Sequence, residues 1–220
     1  GARFWTLAGN SIMVSGLTAL LAVALALLVA YAKRLEPRPL TQSAHWAVGL
    51  GYALPGSVIA VGLLIPLARL DNALAQWLQA SFGWQTGLLF TGTVAALVFA
   101  CLVRFMTAAL QTVDSALYRV TPHMDDAARS LGLSPARTLR RGHLPLLRRG
   151  LLTAGLLVFI DVMKELPATL VMRPFNFDTL ATQAYTLASD ERLAEASTAT
   201  ITIVAVGLLP DFLAVPLAKL

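Results

Sequence analysis

Charge is scarce in this chain. Only 13% of its 220 residues are Asp, Glu, Lys or Arg, about half the roughly 25% of a soluble domain. So little charge excludes water as the solvent for most of the surface and leaves lipid. Cysteine is all but missing. Cys101 stands alone, so no internal disulfide can form and the redox compartment is not readable. Several chemical signatures are missing too: a serine-nucleophile motif, a helix with paired histidines, a glycine-rich phosphate loop. No basic segment precedes the first apolar run, and that run is too long for a signal peptide. The chain starts at Gly1 rather than Met, which reads as one part of something longer.

What is abundant is apolar sequence. Hydrophobic residues make up 57% of the chain, and the mean hydropathy is +0.70. A membrane-crossing helix needs about 20 apolar residues. Five stretches qualify: Phe4–Ala32, Trp46–Ala68, Ser81–Val103, Leu151–Met172 and Ser197–Leu217. The second is interrupted by Pro55, Gly56 and Pro66. The fourth is broken by Asp161, Lys164, Glu165 and Pro167, and the fifth carries Asp211 towards its end. Gly49, Gly51, Gly56 and Gly62 fall in the second span, where small residues let helices pack closely. The fold class expected is all-α, a polytopic membrane bundle of about five transmembrane helices, as one domain over residues 1–220.

The cations are unevenly placed. One set of loops and the C-terminus hold twelve: Lys33, Arg34, Arg38, Arg104, Arg119, Arg129, Arg137, Arg140, Arg141, Arg148, Arg149 and Lys219. The opposite side holds four, Arg3, Arg69, Arg173 and Arg192. The positive-inside rule puts the richer side in the cytoplasm. The chain's first residues are then outside and its last in the cytoplasm. A start outside with no signal again points to an earlier span.

The most polar stretch, about residues 111–149, is too long for a structureless loop. Thr121 fits a helix N-cap, Pro122 the first helical position, and Asp125 and Asp126 the anion-favouring first turn. Gly132 suits the left-handed residue that ends a helix. Ser134 and Pro135 repeat the start signal, and Gly142 repeats the stop. Met124, Ala127, Ala128 and Leu131 share one face at i, i+3, i+4 and i+7. That face is shallow. It packs on the chain's own helix ends or docks into another protein, and the spacing leaves both open.

In register, Asp126-Ala127-Ala128, three residues, Gly132, nine residues and Gly142-His143-Leu144-Pro145 resemble the EAA loop of binding-protein-dependent ABC importer permeases. Asp126 stands in place of Glu, and Gly142 in place of an aliphatic residue. "NSIMVSGLTALLAVALALLVAYAKR" and "GYALPGSVIAVGLLIPL" resemble the first two core helices of these permeases. Lys164–Ser197 is similar to the corresponding segment of the ferric-iron branch. The resemblance implies a coupling helix that seats on a cytoplasmic ATPase, with Asp126, Ala127, Ala128, Leu131, Gly132, Leu144 and Pro145 as the coupling residues. It implies an ABC ATPase dimer holding the ATP, a periplasmic binding protein and a second permease half as partners. The location implied is the bacterial inner membrane, and no cofactor, metal or catalytic residue is expected on this chain. The branch often fuses two halves, so this chain is expected to be a C-terminal half. Ferric iron is the substrate implied; thiamine, molybdate and polyamine importers share the architecture.

Two other classes share some of these features. "DDAARSLGLSPARTLRR" also has the outline of a DNA-reading helix-turn-helix, but its second helix spans about two turns and no third helix completes a core, so nucleic acid is not an expected partner. An intramembrane enzyme would need acid–base groups, and Asp161, Lys164 and Glu165 are the candidates. His45, His123 and His143 lack metal-site spacing and read as solvated or interfacial.

Counted from Arg149, Asp161, Lys164 and Glu165 lie about 18–24 Å into the membrane, on one face within an arc of about 100°. Such groups must face the bundle interior or water. They either form a pair that locks packing or, with Pro167 beside them, line the translocation path or its gate; their net negative charge favours the second. The outer segment 173–195, with Asp178, Asp190, Glu191 and Glu195, is an ordinary loop or a landing surface for the binding protein.

Overall fold

The computed structural model describes the backbone of residues 2–218 and the side chains of residues 3–208. Lys219 and the side chain of Asp211 lie outside the described residues. Among those described there are helices and no strands. In chain order they are α1 (Ala2–Leu35), α2 (Pro39–Gly49), a 3₁₀ turn (Gly51–Ala53), α3 (Gly56–Phe82), α4 (Val94–Leu117), α5 (Pro122–Ser130) and α6 (Pro135–Thr138). A π-helical turn (Leu139–His143) leads into α7 (Leu144–Met163), and α8 (Pro167–Met172), α9 (Leu180–Ser189) and α10 (Leu193–Ala218) follow. Among the described residues three helices, α1, α3 and α4, are long and apolar enough to cross a membrane. The chain is an all-α polytopic membrane domain.

The core is a triangle of α1, α4 and α7. Between apolar helices in lipid, close approach by small side chains drives packing, because the tails are as apolar as leucine. Ala19, Ala22, Ala26 and Ala30 form such a stripe along α1, all buried. Ala96, Ala100 and Ala109 of α4 and Ala154 of α7 meet it. Of the four glycines expected to allow close packing, Gly51 and Gly56 do so, against α4 and its Arg104. Nothing lies within 4 Å of a Cβ built at Gly49 or Gly62.

Two spans differ from the sequence expectation. The second is broken: α2 and the 3₁₀ turn run back along α4, and α3 starts at Gly56 and continues past Ala68 to Phe82. His45 Nε2 reaches Asp114 Oδ2 at 2.5 Å, and the Thr107 hydroxyl donates to the Val48 carbonyl at 2.7 Å. The third span begins at Val94, not Ser81. Gly83 and Gly92 take φ of +67° and +76°, which only glycine adopts at no steric cost. They enclose a folded-back segment instead of a helix. Asp71 of α3 holds it: the fully buried carboxylate accepts the backbone N–H groups of Leu89, Phe90 and Thr91 at 3.1, 2.9 and 2.6 Å. Irregular backbone near a membrane needs such partners. The later start moves Arg104 into the middle of α4, out of the loop where the charge count had placed it.

A candidate coupling loop and a buried ion pair

Helix α5 stands at the end of the bundle where α1 finishes, α4 finishes and α7 begins. Arg34, in the last turn of α1, gathers three of these ends. Its Nε and one Nη bond to Asp125 Oδ2 at 2.9 and 2.7 Å, and its Nη groups donate to the carbonyls of Leu117 (3.1 Å) and Val120 (2.8 Å). One guanidinium thus holds the last carbonyl of α4 and one from the turn after it, and neutralises the acid in the first turn of α5. One turn earlier, the Tyr31 hydroxyl donates to the Pro135 carbonyl at 2.9 Å, tying α6 to α1.

Asp125, not its neighbour Asp126, is the anchored acid. Asp126 is exposed, and among the described residues its side chain has no hydrogen-bond or ion-pair partner. His143 lies under the loop at 1% exposure, a correction to its reading as a solvated or interfacial histidine. Its Nε2 sits 3.0 Å from Asp125 Oδ1, yet off the line a hydrogen bond needs, so neither ring nitrogen is partnered. Burial pushes the His143 pKa below its ordinary value; Asp125 pulls upward and Arg34 adds to the lowering.

The expected shared face of α5 divides. Ala128 turns inward and is buried, while Met124, Ala127 and Leu131 remain uncovered, Leu131 at 79% exposure. Gly132 takes φ of +72°, the left-handed helix end expected of it. Gly142 does not stop the second helix: α6 passes through the π turn into α7, with Pro145 in α7's first turn, where a missing N–H costs nothing. Thr121 and Ser134 hold N-cap positions but make no side-chain capping bond. Leu144 is exposed at the start of α7.

The second cluster lies deep in the bundle. Helix α7 ends at Met163, and the three residues before Pro167 break the helix. Asp161, Lys164 and Glu165 therefore do not share one face. Lys164 points outward at 61% side-chain exposure and pairs with Asp161 at 2.9 Å, i to i+3. Glu165 turns inward, 5% exposed, and accepts from Arg104 Nη1 at 2.8 and 2.7 Å. Its Oε1 also accepts the Ala168 N–H at 3.0 Å, capping α8. Gly56, at the start of α3, completes the cluster, because a Cβ there would overlap both the guanidinium and the carboxylate. Three broken or starting helices thus meet around one ion pair.

A family model described as "binding-protein-dependent transport system inner membrane component" matches residues 22–219. The chain belongs to this permease family. The permease is 28% identical over 211 residues to an Fe(3+)-transport system permease protein, FbpB 2, of Haemophilus influenzae, covering 96% of this chain and 38% of that relative. It is 27% identical over 198 residues to the ferric transport system permease protein FbpB of Actinobacillus pleuropneumoniae, covering 87% and 28%. A putative 2-aminoethylphosphonate transport system permease protein, PhnV, of Salmonella typhimurium is 27% identical over 157 residues, covering 71% and 53%. The chain spans well under half the length of the ferric relatives it matches.

Two residues of the permease's clusters escaped sequence reading. Arg34 looked like one more cytoplasmic cation, and Arg104 like the start of a loop. The available signal for Arg104 was its place in an apolar run that continues past it to Leu110, where an unpaired cation is costly.

Proposed function

We propose that the permease is one transmembrane half of an ABC importer that carries ferric iron, delivered by a periplasmic binding protein, into the cytoplasm. A separate ATPase dimer drives it through α5 and the turn after it. The observation that carries this reading is the division of α5: its inner side is clamped to α1 and α4, and its outer stripe of Met124, Ala127 and Leu131 is left uncovered beside the free carboxylate of Asp126. A helix tethered on one side, with an open apolar stripe on the other, suits a partner's groove. Asp126, Ala127, Ala128, Leu131, Gly132, Leu144 and Pro145 form or hold that surface. Glu165, with Asp161, Lys164 and Pro167 at the same break, belongs to the path or its gate. Relatives named for ferric transport match more of this chain than the phosphonate permease does, which favours iron; the phosphonate relative supports 2-aminoethylphosphonate as the second reading.

Uptake of labelled ferric iron and labelled 2-aminoethylphosphonate by cells carrying the full transporter and its binding protein separates the two. Iron uptake that depends on the permease is the expected result, and phosphonate uptake alone reverses the choice. Orientation has its own test. With Cys101 replaced by Ser, a cysteine at the exposed Asn176 is expected to label with an impermeant thiol reagent in intact cells, and one at Ala136 is not. The opposite pattern overturns a cytoplasmic α5.

A further inference from the structure

Between α1 and α7 lies an open trough of about 570 Å³. Its walls are apolar: Leu20 and Val23 on α1, and Leu152, Gly155 and Phe159 on α7. Leu20 is 69% and Leu152 52% exposed, so the described chain does not cover it. One charged residue lines it. Arg148 lies one turn inside α7, and among the described residues its side chain has no ion-pair or hydrogen-bond partner. Neither do Arg137, Arg140, Arg141 and Arg149, which extend the positive field beyond that end.

Dimensions join the two features. From Arg148 to Phe159 is about 16 Å of helix, and one leaflet of hydrocarbon is about 15 Å deep, half of a core of about 30 Å. With Arg148 at the level of a headgroup phosphate, the apolar floor would end near the bilayer centre. An arginine that merely reaches for the interface needs no groove beneath it. Basic clusters beside a span attract anionic lipid, each cation contributing about 1 kcal/mol near the surface. We propose that this trough is a binding site for one anionic phospholipid, with the phosphate on Arg148 and an acyl chain along Gly155. The cytoplasmic leaflet follows from the orientation proposed above; the binding itself does not depend on it.

The test uses the assembled transporter with its ATPase, stripped of native lipid in mild detergent. Native mass spectrometry then reads the binding of phosphatidylglycerol and of phosphatidylcholine with identical acyl chains. Phosphatidylglycerol is expected to bind about fivefold more tightly or better, the effect of one cation. Arg148→Gln, at an exposed and unpaired position, is expected to bring the ratio below about twofold. Gly155→Leu fills the floor and is expected to weaken both lipids. A ratio near one in the unaltered protein, or one that Arg148→Gln leaves unchanged, overturns the proposal. So does a disulfide, formed with a mild added oxidant, between a cysteine at Leu20 and one introduced into the second permease half, since protein would then occupy the trough. If lipid preference holds while cysteine labelling reverses the orientation, the site stands and only its leaflet changes.

Discussion

Arg34→Ala is expected to leave the permease inserted in the membrane and to lower binding-protein-stimulated ATP hydrolysis by roughly tenfold or more. The reason lies in what one side chain holds. Arg34 bonds the acid of α5, the last carbonyl of α4 and one from the turn after it together. Losing charge-assisted hydrogen bonds of this kind costs about 2 kcal/mol, enough to shift a docked-to-undocked ratio by roughly thirtyfold. No membrane-embedded contact is touched, so insertion should persist. Asp125→Asn should act alike, weakening the same bonds from the other side. Asp126→Asn is the contrast, because that carboxylate touches nothing in the described chain. Hydrogen exchange across α5 should quicken in Arg34→Ala and Asp125→Asn and stay unchanged in Asp126→Asn. ATPase association should fall in all three. Unchanged exchange in Arg34→Ala would mean that α5 is held by something else. Normal ATPase association in Asp126→Asn would remove the open face from the coupling surface.

Glu165→Gln carries the second large effect. The amide keeps the size and still accepts the Ala168 N–H, but it leaves the Arg104 cation unpaired inside the bundle. Breaking one side of a buried ion pair costs about 3–5 kcal/mol, so the yield of assembled complex should drop about tenfold or more. The double variant Arg104→Gln with Glu165→Gln removes both charges, and pairs removed together are often nearly neutral. Its assembly should recover to within roughly twofold of the parent. Uptake per assembled complex then tells the two roles apart. We expect it to remain well below the parent, as the proposed place of this cluster in the path or its gate requires. Full recovery of normalised uptake would make the pair a packing lock and place the gate elsewhere. A double variant that assembles no better than Glu165→Gln would show that the two residues do not act as a pair.

Local pattern made much of this fold legible. The charge-free run of α1 is long enough to leave one interpretation, and Gly132 and Pro122 mark the ends of α5 through backbone preferences that hold in any context. The α3–α4 connection was less legible. Residues 81–103 carry no charge and are mostly apolar, so hydropathy reads one span, while the structure is decided by two left-handed glycines and by an aspartate ten or more residues earlier. The ion pair was half legible: Glu165 drew notice as a charge in a span, but Arg104 is 61 residues away, and no local rule joins them. At the candidate coupling loop, local pattern does not separate two neighbouring acids. Asp125 and Asp126 have the same charge and the same first-turn position, yet 100° of helical rotation separates an acid turned to Arg34 from one turned to solvent. Only the packing of α1 decides which is which.

Asp71 also gives α3 a mechanical character. Eleven residues of helix, about 16 Å, continue beyond the point where that carboxylate grips the returning chain. None of them is buried, and at the tip Phe82 meets Trp77 edge-on and Trp84 at a tilt, each with ring centroids 5.8 Å apart. Below the grip, about 22 Å of helix runs past the kink-prone Pro66 to Gly56, against the Arg104–Glu165 pair. The rod is thus held at two points along its length, at Gly56 beside the ion pair and at Asp71 beside the returning chain. Between the two holds lies Pro66, whose backbone cannot complete the helical ladder, so a bend of the arm is expected there and not at the tip.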